Sequence, residues 1–231
     1  MIMVFVCMDL DETLFSSENN IRQFRILNLI SSDQYYHLDH VALSINGENI
    51  ISRQRKEIAA IKVKFFYPKK HLNFLSKASQ ATGSGFCLFF ITNGLYSKKS
   101  FNEMIKLACS IHKIAPPSEL FNVYNRIDLF GRSSHELDPH RIAQAKLQSM
   151  IKEFSIQYGI YKNSHEEHSF FFVDDRDATR KLIADSLDAI TIDPKDRNYC
   201  ESIEMLTGLA EDAISKKVFL HAKSIQSDNL I

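Results

Sequence analysis

The chain has 231 residues, with 28 basic and 28 acidic side chains in formal balance. That length buries one substantial core with a small accessory element, and zero net charge excludes a global field aimed at nucleic acid or at an anionic membrane. The four cysteines, Cys7, Cys87, Cys109 and Cys200, show no C-x-x-C or finger-like spacing, which predicts free thiols in a reducing, cytoplasmic compartment rather than a disulfide framework. No stretch has the length of a membrane helix. The N-terminal apolar run lacks a basic leader and breaks at Asp9, so it reads as a core strand rather than a signal peptide.

The first predicted element is a strand over residues 2–8, and it runs into Asp9-Leu10-Asp11-Glu12-Thr13-Leu14. Two carboxylates at the end of a buried strand resist ionising together. A divalent cation relieves that conflict, and an oxygen-rich site with few protein ligands suits Mg²⁺, which keeps several waters and shares its remaining positions with phosphate. One aspartate can then attack phosphorus while the other handles protons. The plainer reading of a lone D-x-D is an Asx-type turn that caps the next element.

Residues 15–68 interrupt the pattern as a small insertion. Ile21–Leu27 reads as a short helix. Val41, Leu43 and Ile45 alternate ahead of Asn46-Gly47, a strong type I′ signal that predicts a hairpin over 40–51. Arg53, Arg55, Lys56, Lys62, Lys64, Lys69 and Lys70 stand against Glu57. A solvated helical face is the plain explanation of this basic stretch, and contact with an acidic phosphopeptide or phospholipid surface is the sharper one. His37-Leu38-Asp39-His40 and His165-Glu166-Glu167-His168 lack the flanking pattern of a zinc motif and read as solvated histidines.

Beyond the insertion, strands are predicted near 86–92, 121–127, 169–173 and 188–192, and helices near 69–81, 97–112, 139–158, 177–186 and 199–215. Pro68 suits the first position of a helix. This alternation predicts an α/β fold, a Rossmann-like, doubly wound parallel sheet in a single domain over 1–231. Two more strands end in polar residues. Phe86–Ile91 leads into Thr92-Asn93-Gly94, where the threonine hydroxyl is placed to bond a phosphate oxygen and Asn93-Gly94 turns the chain. Phe170–Val173 leads into Asp174-Asp175-Arg176-Asp177. Ligands of open α/β sheets bind outside the carboxyl ends of the strands, so the three tips converge on one place.

On Asp9-Leu10-Asp11-Glu12-Thr13, Thr92-Asn93-Gly94 and Asp174-Asp175, the chain resembles phosphatases of the haloacid dehalogenase superfamily, from the first strand to about residue 192. The resemblance implies that Asp9 is a nucleophile forming an aspartyl phosphate. Asp11 would be the general acid and then the base, and Thr92 and Asn93 would bind phosphate. Mg²⁺ would be held by Asp9, the Asp11 carbonyl and Asp175, with Asp174 bound directly or through water. Ion-pumping relatives carry Thr at the second aspartate, so Asp11 favours hydrolysis or mutase chemistry. The resemblance also requires a lysine against Asp9 and the phosphate. Lys146, just ahead of the periodic Leu147, Met150, Ile151 and Phe154, fits best, and Lys152 is the alternative.

The insertion corresponds to a flap or small cap, which would leave the site open to a phosphorylated side chain on a protein. The hairpin and Tyr67–Leu75 also resemble carboxy-terminal-domain-type protein phosphatases of that superfamily, from which Thr92-Asn93-Gly94 departs. The expected function is a Mg²⁺-dependent phosphomonoester hydrolase acting on phosphotyrosine in proteins, as do some bacterial effectors translocated into host cells. The alternatives are a sugar-phosphate or nucleotide phosphatase, a phosphomutase, and a phosphoprotein-binding module with decayed activity.

Overall fold

The computed structural model describes residues 3–17, 36–38, 44–45, 48–49, 61–96, 98–131, 136–158 and 168–228. The N-terminal part contains β1 (Val4–Met8), β2 (Phe15–Ser17), β3 (Tyr36–Leu38), β4 (Ser44–Ile45), β5 (Glu48–Asn49) and β6 (Ile61–Phe65). Then follow α1 (Pro68–Ala81), β7 (Phe86–Ile91), α2 (Lys98–His112), β8 (Asn122–Tyr124), α3 (Arg126–Phe130) and α4 (Pro139–Tyr158). The chain continues through β9 (Ser169–Val173), α5 (Asp177–Leu187), β10 (Ile190–Ile192) and α6 (Tyr199–Asp228).

Five strands form a parallel sheet in the order β10-β9-β1-β7-β8. Because both faces are covered by helices, the strands read as continuous apolar runs rather than alternating ones, and all six residues of β7 are buried. Alternate side chains of each strand nevertheless go to different cores. Val6, Met8, Leu88 and Phe90 join one core with Leu72, Leu75, Ile105, Ile203 and Leu206. Phe5, Cys7, Phe89, Ile91 and Phe172 join the other with Met150, Phe154 and Ile183. The apolar stripe of α1 (Leu72, Leu75, Ala78) packs on the stripe Tyr199, Ile203, Leu206 and Ala210 of α6, both at helical spacing.

The order of strands reverses at β1. The chain builds outward through β7 and β8, then returns to lay β9 against the other edge of β1. Such a switch point is where an open α/β sheet leaves a crevice at the carboxyl ends of its strands. The insertion contributes a separate antiparallel sheet, β2-β6-β3, and the two-stranded β4–β5 pair, with Ser44 opposite Asn49 and Ile45 opposite Glu48. That pairing is the one the hairpin prediction requires, while Asn46-Gly47 and the Ile21–Leu27 segment lie outside the described residues.

Two expectations are corrected. The strand expected over 121–127 stops at Tyr124, because Asn125 caps a short helix. Its side chain accepts from the Ile127 and Asp128 amides at 2.9 and 3.4 Å, and Asp128 returns a bond to the Asn125 amide at 2.8 Å. The basic stretch is not one solvated helical face either. Ile61–Phe65 is a strand pairing with β2 and β3, Lys64 on it is fully buried, and among the described residues of the stretch Lys69 and Lys70 lie on a helix. Arg53, Arg55 and Lys56 lie outside the described residues.

Candidate active site

β1, β7 and β9 end in register, Met8 standing opposite both Phe90 and Val173. The ladder carries on past the strand ends. The Asp9 amide donates to Val173 O at 2.8 Å, the Thr92 amide to Tyr124 O at 2.9 Å, and the Asp174 amide to Ile192 O at 3.3 Å. The three polar tips are therefore fixed by backbone hydrogen bonds, and the chain turns away sharply after each. After Asp9 the turn is closed by Leu14 and Phe15 amides on Leu10 O (3.0 and 3.2 Å), with Glu12 in the left-handed region at φ 58°.

Lys146 occupies a position on the buried stripe of α4, between Ala143 and Met150, and is 1% exposed. Its Nζ lies 2.8 Å from Asp9 Oδ2 and 2.6 Å from Asp174 Oδ2. The remaining Asp9 oxygen accepts from the Leu10 amide at 2.8 Å, and Asp174 Oδ1 from the Arg176 amide at 2.8 Å. Burial pushes the Asp9 carboxyl up to about 8, with Lys146 pulling against this and Asp174 adding to it. Burial works against the Lys146 ammonium, but Asp174 and Asp9 outweigh it and hold the group above its ordinary value. One buried lysine thus serves two buried carboxylates, and the cluster is short of positive charge.

Asp175 lies beside this pair, and Asp9, Asp174 and Asp175 each bring a carboxylate oxygen within 4.8 Å of the others. Burial raises Asp175, as does Asp174, while Lys195 at 3.2 Å draws it down. Arg180 braces the loop from behind, donating to Asp174 O at 2.7 Å and pairing with Asp193 at 2.8 Å.

Asp11 is held at both oxygens. Thr92 Oγ1 donates to Oδ2 at 3.0 Å, and the Tyr96 hydroxyl donates to Oδ1. Thr92 Oγ1 itself accepts from the Gly94 amide at 2.9 Å, which turns its own proton toward Asp11. Burial and the Asp11 carboxylate keep the Tyr96 phenol protonated, above its ordinary range. Arg126 ties the turn from below, through Nε to Asn93 O at 2.7 Å and through its amide to Gly94 O at 3.0 Å.

The structure therefore brings Asp9, Asp11, Thr92, Lys146, Asp174 and Asp175 to one end of the sheet, and places Lys152 on the exposed face of α4. The Asn93 side chain donates through Nδ2 to Glu136 O at 2.9 Å, while its buried Oδ1 has no hydrogen-bond partner among the described residues. Of the two histidine clusters, Asp39, His40, His165, Glu166 and Glu167 lie outside the described residues. His37 lies in β3, and His168 accepts from the Met3 amide at 3.3 Å with its ring against Phe5 and Phe170. Sequence reasoning passed over Tyr96 and Arg126. Tyr96 follows Asn-Gly with no motif of its own, and Arg126 opens a helix whose only signal is the Asn-x-x-Asp spacing of its cap. Among the described residues no helix is long and apolar enough to cross a membrane. Compared with models of known protein families and with curated proteins, the chain matches none.

Proposed function

We propose that this chain is a Mg²⁺-dependent phosphomonoester hydrolase of the haloacid dehalogenase type, working through an aspartyl phosphate on Asp9. The observation that carries the reading is the buried Lys146 bridging Asp9 and Asp174 at 2.8 and 2.6 Å, at the strand tips where Thr92 and Asp11 also meet. A purely structural lysine is seldom buried between two carboxylates, because desolvating three charges costs several kcal/mol per ion before pairing offsets it.

The donor set fits a hard cation. Asp9, Asp174 and Asp175 offer carboxylate oxygens with no sulfur or imidazole among them, and burial leaves Asp9 and Asp175 raised for want of positive charge. Mg²⁺ would be held by these residues and the Asp11 carbonyl, and when bound it would offset the charge of phosphate facing carboxylates. Lys146 holds Asp9 in place and supplies fixed charge beside it. An Asp9 oxygen forms a bond to phosphorus as the bond to the leaving oxygen breaks, and the Asp11 carboxyl proton passes to that oxygen. Asp11, now ionised, takes a proton from water whose oxygen attacks phosphorus, and the Asp9 carboxylate is released.

The substrate class we favour is phosphotyrosine in a protein. The insertion is confined to residues 15–68 of the sequence, a length that supports a small flap, which would leave the site open, rather than a lid that encloses a metabolite. Phosphate release from p-nitrophenyl phosphate and from phosphotyrosine, phosphoserine and phosphothreonine peptides, with Mg²⁺ and with EDTA, tests both parts. Metal-dependent turnover lost in Asp9→Asn supports the chemistry, and preference for the phosphotyrosine peptide supports the substrate. Turnover confined to sugar phosphates or nucleotides would move the reading to a metabolite enzyme, and no turnover at all would favour a binding module.

A further inference from the structure

Tyr96 is buried, 4% exposed, and its hydroxyl is aimed at the Asp11 carboxylate. It donates to Asp11 Oδ1 while Thr92 Oγ1 donates to Oδ2. A carboxylate seized at both oxygens by two separate donors loses its freedom to rotate in its own plane. Both donors are themselves fixed. Thr92 is oriented by the Gly94 amide, and the Tyr96 ring lies edge-on to Phe15, with centroids 5.6 Å apart. The ring also closes over Gly94 so tightly that a Cβ there would meet it at 2.4 and 2.8 Å. The Tyr96 carbonyl accepts from Asn125 Nδ2 at 3.2 Å, which anchors the backbone beneath.

We propose that Tyr96 is a positioning residue for the phosphotransfer step, aiming the Asp11 carboxyl at the oxygen that leaves phosphorus. The inference rests on the phosphatase reading above and adds a residue to it. The stoichiometry is consistent. A carboxyl group has about four lone-pair sites; Thr92 and Tyr96 take one each, and a further site carries the proton that Asp11 delivers as the phosphorus–oxygen bond breaks. Tyr96 exchanges no proton itself. Its effect is geometric, so it grows with the need for that proton: a stable leaving anion departs unaided, whereas a basic one does not.

The test is kcat/KM for a series of aryl phosphates, from p-nitrophenyl to unsubstituted phenyl, in wild type and Tyr96→Phe. With an aspartyl phosphate mechanism this parameter reports the step in which the leaving group departs. Tyr96→Phe is expected to lose only about threefold on p-nitrophenyl phosphate and roughly 30-fold on phenyl phosphate, a part of the 10²–10⁴ that a general acid supplies. An equal loss across the series, with the folded protein intact by near-ultraviolet circular dichroism, would mean that the hydroxyl only packs, and would overturn the inference. The same substitution placed in Asp11→Ala protein is a second check, because a residue acting through Asp11 has no further effect once Asp11 is gone. A further loss there overturns the inference too. Wild type inactive on every ester would instead defeat the phosphatase reading, a result distinct from either of these.

Discussion

Lys146 Nζ stands 2.8 Å from Asp9 Oδ2, and both side chains are shut away from solvent. Removing one partner of such a pair leaves an uncompensated buried charge, which costs about 3–5 kcal/mol. Lys146→Met is therefore expected to lower the urea midpoint and to remove at least about 10²-fold of the proposed phosphatase activity, by loss of fixed charge beside the proposed nucleophile. Lys152→Ala, on the exposed face, should change neither. Urea titrations and phosphate release on the two variants check this.

Asp9→Asn should behave in the opposite way for stability. Burial disfavours the charge of Asp9, and an amide keeps an acceptor for the Leu10 amide while Lys146 retains Asp174. The variant is expected to have no measurable turnover and to melt no lower than wild type, as read by calorimetry in metal-free buffer.

Gly94→Ala should act through its neighbours. The added methyl would lie 2.4 and 2.8 Å from the Tyr96 ring and 3.0 Å from Asp11 Oδ2. The ring must shift, at a cost of about 1–3 kcal/mol, and activity should fall with it. Tyrosine fluorescence and thermal midpoint report the two effects together.

His71 predicts a pH dependence away from the site. Burial lowers its pKa to about 4 from the model-compound 6.5, and its ring lies between Phe66 O and the Tyr199 hydroxyl, the latter at 2.8 Å. The unfolded chain takes up this proton first, so stability is lost as pH falls from about 6.5 and levels off below about 4, by about 3 kcal/mol in all. His71→Gln should lose less stability than wild type between pH 7 and pH 4.5 in paired urea titrations.

Asp175 gives a prediction for the proposed Mg²⁺ site. Lys195 holds its carboxylate at 3.2 Å and its carbonyl at 3.4 Å, so a cation taking Asp175 must displace an ammonium. Lys195→Met is expected to bind Mg²⁺ more tightly, seen as a larger rise in thermal midpoint per unit of added metal and its reversal by EDTA.

The sequence carried much of this site in its strand tips. Three apolar runs ending in Asp9, Thr92 and Asp174 implied convergence because parallel strands buried on both faces have no other polar residues to present. Lys146 was reached through the resemblance, as the lysine just ahead of the periodic Leu147, Met150, Ile151 and Phe154, and only the structure puts it on the buried stripe with Ala143 and Met150. Lys64 was misread. Ile61, Val63 and Phe65 do alternate, but nothing in the pattern says that the other face of that strand is buried too. Tyr96 was invisible because its role depends on an oxygen 85 residues away in sequence, a relation made only by pairing β1 with β7.

The position of β1 also bears on how the molecule is made. It is the central strand, yet its partners Phe86–Ile91 and Ser169–Val173 come much later in the chain. A growing polypeptide holds Val4–Met8 as an apolar strand with one edge bare until β9 has left the ribosome, an invitation to wrong pairing that chaperones exist to suppress. Asp9 and Asp174 meet only through the pairing of β1 with β9. The lysine bridge between Asp9 and Asp174 therefore forms only after β9 is made, and no N-terminal fragment that ends before Asp174 can contain it.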